Sequence, residues 1–407
     1  MNSKLLNYIK YGAYNNTICF PEANADSVKK YIKGLKDLPC IIKNECSNQI
    51  VSMLRKEDSN VIVISYIFSM IAFNQDLYEL LKTKIDSFDK MHIVVFFLKY
   101  GCFNKKIINR LYEDKFEFLS KDLFKISKPK IKTLLKFNKR SKVLKKVKKD
   151  IKNKKANKDT LIKIKANKIS PFELMHYTSY FFDKEIKEKL FLHFIETYNV
   201  LESLKIIECS FSEVIPNSVL EKIKEKISNI NTIEEIYELI LLHEKINNKE
   251  IKDIIYNFIS SYKTEKNEKN VFIHLAANNK SRMKADKDEK YTYLNISGIL
   301  GVLISKKFNT ELFVNNHLIE DDSIMKMKNK INDNLVCLNP AKKTRKTGKN
   351  KKIEILFSDS FSNNYDIVWN VMSKDLEFDN YNKYLLVKGF DKKILPCVTK
   401  YINHPLP

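Results

Sequence analysis

Between residues 125 and 168 the chain carries 19 Lys or Arg and 2 acidic residues, a local charge of +17. Cations at this density neutralise phosphates, and the release of condensed counterions makes such binding steeply dependent on salt. The candidate contacts are Lys139, Arg140, Lys142, Lys145 and Lys146, followed by Lys148, Lys149, Lys152, Lys154 and Lys155. Only Phe124 and Phe137 lie in or beside the run, so it lacks the interleaved aromatics of a base-stacking surface. The expected ligand is the backbone of structured RNA, read with little sequence preference. A solvated linker or a nuclear-import signal is the alternative use of such a charge block.

A second run, residues 342 to 352, holds seven Lys or Arg and no acid, and Lys342, Lys343, Arg345 and Lys346 are its candidate phosphate contacts. The two runs together account for the whole formal charge of +24, so the remainder of the chain is neutral. The run before residue 353 serves equally as a second phosphate contact or a localisation signal. Thr347-Gly348-Lys349 is no P-loop, because the upstream glycine is missing.

Other chemistry is sparse. The seven His are scattered without metal-binding spacing, and His243 falls on an apolar face with Ile233, Ile236 and Ile240, where it reads as a core histidine. Glu320, Asp321 and Asp322 read as a surface turn and the charge of a helix N-terminus. Seven dispersed Cys without a Cys-x-x-Cys pair suit a reducing compartment. No Ser-His-Asp pairing is defensible, no cofactor is expected, and the chain is expected to be non-enzymatic. The N-terminus has no signal-like apolar core, and the longest apolar run, Val61 to Phe73, falls short of the roughly 20 residues of a membrane span. The expectation is a cytoplasmic protein, also nuclear if the basic runs direct import, with no membrane partner.

The elements that must position these residues fall into two textures. From about residue 25 to 124 apolar residues recur at helical spacing: Val61, Ile64, Ile67, Phe68 and Ile71 give one broad face, Leu77, Leu80, Leu81 and Ile85 the next, and Met91 to Tyr100 is apolar nearly all round. Within the basic stretch Val143, Leu144, Val147 and Ile151 form a narrow stripe, which predicts a basic amphipathic helix. Helices are predicted at 171–198, 218–227, 232–246 and 249–262, the first opened by Ser170 and Pro171. After a polar linker the pattern alternates. Strands are predicted at 271–276, 310–314, 335–338, 353–357 and 383–387, with helices at 294–308, 322–331, 365–372 and 391–402, which implies a parallel sheet.

Three segments resemble the Ro ribonucleoprotein (TROVE) family and its relatives ending in a von Willebrand A-like domain. They are Lys168-Ile169-Ser170-Pro171-Phe172-Glu173-Leu174; residues 271–283 with Asn295 to Gly301; and Ile355 to Asp359 with Gly389 to Leu395. The resemblance implies stacked helical pairs of HEAT-like type, a Rossmann-like A domain and small noncoding or structured RNA as ligand. It also implies a divalent-metal loop of Asp-x-Ser-x-Ser form. Here Ser281 takes the last position and Asn279 the middle one, while Ala277 stands where the Asp belongs, leaving Asp359 as the one carboxylate. A hard cation wants several oxygen ligands, so the metal is expected to be lost.

The expected organisation is a helical-repeat block at 1–124, a basic arm at 125–168, a second helical block at 169–263 and a metal-degenerate A-like domain at 270–407. The expected role is an RNA-binding scaffold of a ribonucleoprotein. The alternative is a protein-interaction scaffold whose basic runs only target or tether.

Overall fold

The computed structural model describes the chain except residues 102–104, 175–176, 178–182, 205–214, 263–270, 276–290, 315–316, 320, 322, 335–352, 359–364, 374, 379–383 and 406–407. Two compact units emerge: residues 1–103 with 259–407, and residues 104–258. This division cuts across the expected blocks. The N-terminal helices belong with the C-terminal sheet and not with the helices that follow them.

The first unit begins with helices α1 (Ser3–Tyr11), α2 (Ala25–Gly34), α3 (Leu38–Asn44), α4 (Ser47–Lys56), α5 (Val61–Met70), α6 (Gln75–Lys84) and α7 (Phe88–Tyr100), and residues 13–18 between α1 and α2 go to the sheet. Side-chain caps start most of them; Asn60, Asn74 and Ser87 each accept a backbone N–H of the first turn. Where one broad apolar face was expected on α5, every residue from Val61 to Ser69 is buried. It lies among α1, α3, α6 and α7, so no side of it meets water.

Among the described residues the sheet has eight strands, and the order across it is β1-β2-β8-β7-β6-β3-β4-β5. They are β1 (Ala13–Tyr14), β2 (Thr17–Ile18), β3 (Val271–Leu275), β4 (Glu311–Val314), β5 (His317–Ile319), β6 (Ile353–Phe357), β7 (Ile367–Asn370) and β8 (Leu385–Lys388). The six strands from β2 to β4 across it are parallel, and the outer strands β1 and β5 run antiparallel to their neighbours. Helix α17 (Tyr293–Phe308) connects β3 to β4 and α18 (Ile324–Asn334) follows β5. A Cβ on Gly301 would sit 3.2 Å from Leu312 Cδ1, and one on Gly298 3.2 Å from Ile331 Cγ2. These two glycines let α17 press on the sheet and on α18 at close range.

The sequence reading and the structure differ at two places in this unit. Residues 365–372 read as a helix, yet Ile367 to Asn370 form β7, with Ile367, Val368 and Trp369 all buried. A strand covered on both faces loses the two-residue alternation, so its apolar run is ambiguous. Residues 13–18 carried no prediction, and they form a hairpin whose second strand pairs with β8, Thr17 opposite Leu386 and Ile18 opposite Val387. Asn15 and Asn16 both have positive φ, 48° and 55°, as a tight hairpin turn demands. The expected strand at 335–338 lies outside the described residues.

The same seam is closed by α19 (Ile394–Asn403). Lys400 pairs with Glu57 at 3.0 Å, the Tyr11 hydroxyl donates to the His404 carbonyl, and Tyr11 and Tyr401 meet edge to face at 5.5 Å. Phe378 packs against Tyr14 and Tyr31. Burial pushes the Tyr8 and Tyr31 phenols well above the usual range, and their hydroxyls satisfy each other at 3.1 Å.

Candidate nucleic-acid interface

The second unit opens with α8 (Lys105–Asp114) and α9 (Lys121–Ser127) and then builds the predicted basic helix as α10, Ile131–Lys152. At 1.5 Å per residue its 22 residues span about 33 Å. Lys130 N–H donates to Asn109 Oδ1 at 2.9 Å where the helix begins. Tyr112, Phe124 and Phe137 form a ring stack with centroids 5.4 and 4.0 Å apart, anchoring its first half. Thr133, Arg140, Val147 and Ile151 are buried at steps of seven, seven and four residues. That spacing marks one stripe of a helix, and it extends the stripe expected from Val143 to Ile151 back to Thr133, nearly three turns. Helix α11 (Lys158–Ala166) packs against the second half, burying Leu161 and Ile164.

Opposite the stripe, Lys139, Lys142, Lys145, Lys146, Lys149 and Lys152 are exposed, continued past the helix by Lys154 and Lys155. Lys132 and Lys136 belong to the same array and were not among the expected contacts. Apart from Lys154, these lysines make no ion pair among the described residues. Asp150 is the sole acid on the helix.

Two expected contacts face elsewhere. Arg140 is 2% exposed. Its Nη1 donates to Glu173 Oε1 at 2.6 Å, Nη2 donates to Glu173 Oε2 and to the Lys168 carbonyl at 3.1 Å, and Nε donates to the Asn167 carbonyl at 3.2 Å. Four of the five guanidinium N–H groups are taken by a bidentate carboxylate and two carbonyls, and the side chain is buried, so Arg140 is not presented to a phosphate. Arg140 therefore leaves the candidate set and becomes the group that fixes the rotation of α10. Glu173 serves twice, because its Oε2 also accepts the Ser170 N–H at 3.0 Å, closing the first turn of α12 (Pro171–Leu174). Lys148 is half-buried with its Nζ 4.9 Å from the centre of the Tyr177 ring. Burial lowers its pKa, and Glu173 opposes that shift.

The unit continues with α13 (Lys184–Thr197), α14 (Asn217–Ser228), α15 (Ile233–Lys245) and α16 (Lys249–Ser261), with the unit boundary inside α16. The single helix expected over 171–198 is interrupted: Asp183 caps a fresh start at Lys184 by accepting the Ile186 N–H. His243 is half-buried beside the Tyr256 ring. In the first unit, Asp321 accepts the Ser323 N–H at 3.1 Å and pairs with Lys330 at 3.2 Å, and these interactions, the backbone bond foremost, hold its carboxyl below the usual range.

Lys342, Lys343, Arg345 and Lys346, and the former metal positions Asn279, Ser281 and Asp359, lie outside the described residues. Among the described residues no group of three or more His, Cys, Asp or Glu is arranged to hold a metal. No described helix is long and apolar enough to cross a membrane. No protein-family model matches the chain, and no curated protein matches it significantly.

Proposed function

We propose that the protein is a non-enzymatic RNA-binding scaffold, and that the outward face of α10 grips the phosphate backbone. The observation that carries this reading is the lysine array on a helix fixed by the Arg140–Glu173 pair, whose lysines other than Lys154 make no ion pair among the described residues. A cationic face about 30 Å long with no exposed aromatic suits backbone contact without base recognition. The likeness to the Ro ribonucleoprotein family points the same way. Counted from β3, the C-terminal strands take the order 3-2-1-4-5-6 with the third reversed, which supports an A-like domain of doubly wound type. The site of action in this reading is the cytoplasm, and the second basic run adds a further phosphate contact or an import signal.

The test is salt titration of RNA binding. Each phosphate that a lysine neutralises adds about 0.7 to 0.9 to the slope of log affinity against log salt. Replacing Lys142, Lys145, Lys146 and Lys149 with Ala should therefore flatten that slope by roughly 3. An unchanged slope and affinity would remove α10 from RNA binding. Nuclease-sensitive absorbance at 260 nm in the purified protein gives a second check.

A further inference from the structure

Eight large hydrophobic side chains stand exposed among the described residues, and three of them share the first turns of α10: Ile131 at 77%, Leu135 at 63% and Leu134 at 37%. They sit at i, i+3 and i+4, one face of a helix. Lys130, Lys132 and Lys136 flank them, all exposed. Past Leu135 the same face continues through Asn138, Lys142, Lys145 and Lys149. One continuous surface thus begins apolar and turns cationic.

We propose that this surface docks an acidic amphipathic helix of a partner protein, with aliphatic residues at one end and carboxylates along the same face for the next turns. Each other occupant meets an obstacle in the chemistry. A second copy would set lysines against lysines around the apolar turn, and like charges repel. A ribose-phosphate backbone satisfies the lysines and leaves three aliphatic side chains facing water. A membrane surface asks for an apolar stripe running the length of the helix, whereas here it stops after two turns. An acidic helix satisfies both halves: its aliphatic residues cover Ile131, Leu134 and Leu135, as in helix-in-groove recognition, and its carboxylates meet the lysines beyond. Aliphatic anchors supply the affinity while the rim charges steer the encounter. Because the lysines of this face are the ones assigned above to RNA, the partner and RNA exclude each other.

The experiment uses the full chain and a fluorescent synthetic helix with leucines at i, i+3 and i+4 near one end and glutamates on the same face beyond. A control helix carries serine in place of each leucine. The double variant Ile131→Ser, Leu135→Ser changes only exposed side chains, and an unchanged circular-dichroism melt verifies its fold. Binding of the leucine helix, read by anisotropy, should weaken about tenfold in the variant, the scale of losing two aliphatic anchors. RNA affinity of the variant should stay within about twofold of the parent, and RNA should displace the peptide. Equal binding of the serine helix, or full peptide affinity in the variant, overturns the proposal. So does parallel loss of RNA affinity in the variant, a dimer that the variant abolishes in sedimentation, or binding to phosphatidylserine vesicles that needs Ile131 and Leu135. The RNA reading stands or falls separately, on the four-lysine variant.

Discussion

The two units are held together in opposite ways. In the first, pieces from both chain ends share one core: β2 from residues 17–18 extends a sheet whose other parallel strands lie beyond residue 270, and α19 binds back to Glu57. In the second, residues 104–258 are contiguous, and its central helix is fixed by a buried ion pair as well as by apolar packing. The first unit spends its side chains on a core; the second carries the 125–168 run, whose 19 cations stand against 15 Lys/Arg and 20 Asp/Glu in the rest of that unit. The longest basic run thus falls in the unit that is contiguous in the chain, while the shorter run at 342–352 falls in the sequence span of the unit closed by both chain ends. An unbalanced cationic surface costs self-repulsion, which the rigid internal clamp at Arg140 offsets.

Breaking the clamp should give the largest effect. Arg140→Ala leaves the half-buried Glu173 without its counter-ion and two carbonyls without their donor, a loss of about 3 kcal/mol, the low end for breaking a buried pair. It should appear as a lowered helical melt by circular dichroism. The chain's one tryptophan, Trp369, lies in the other unit, fully buried, with its Nε1 donating to the Gly389 carbonyl at 2.8 Å. Its fluorescence midpoint should not move with Arg140→Ala, and a parallel shift would show that the two units unfold as one.

The converse substitution is Leu386→Ala, on a strand flanked by β2 and β7. Opening a cavity there should cost about 2–5 kcal/mol, read in the Trp369 midpoint, with RNA affinity and its salt slope unchanged.

A smaller effect is pH-dependent. Burial, reinforced by Lys165, lowers the pKa of His193 below its ordinary 6.5. The folded state therefore binds the proton less readily than the unfolded chain. That contribution to stability is present above about pH 6.5, the unfolded value, and is lost as pH falls through the folded value. Between pH 8 and pH 5 the urea midpoint of the second unit should fall less in His193→Gln than in the parent.

The smallest expected change is a gain. Lys128 ends α9 with φ of 45°, a left-handed conformation that costs a side-chain-bearing residue. Lys128→Gly should stabilise the second unit by about 0.5–1 kcal/mol, read as a raised circular-dichroism midpoint. A lower midpoint would mean that the greater freedom of glycine when unfolded outweighs the relief.

Much of the local structure is legible in residue order. The stripe Val143, Leu144, Val147, Ile151 predicts the basic helix, and carried back by sevens it reaches Arg140 and Thr133. That extension is the signal by which Arg140 is recognisable as inward-facing. The alternation after residue 270 predicts β3, β4, β6 and β8. Strand β7 reads as a helix because a fully buried strand has no polar face to mark its period. The 13–18 hairpin escapes because strands of two residues carry no period at all, although the Asn15-Asn16 pair is itself a turn signal.

Residue order alone determined where the charge lies, most of the helical segments and which of their faces are apolar, since these follow from composition and local geometry. Only the tertiary structure decided what each apolar face packs against. That choice joins residues hundreds of positions apart, as in Tyr11 with His404, and turns one cation of the run inward to Glu173 while its neighbours face water. Local period reports that a side chain is to be buried, but the partner is set by the free energy of the whole core.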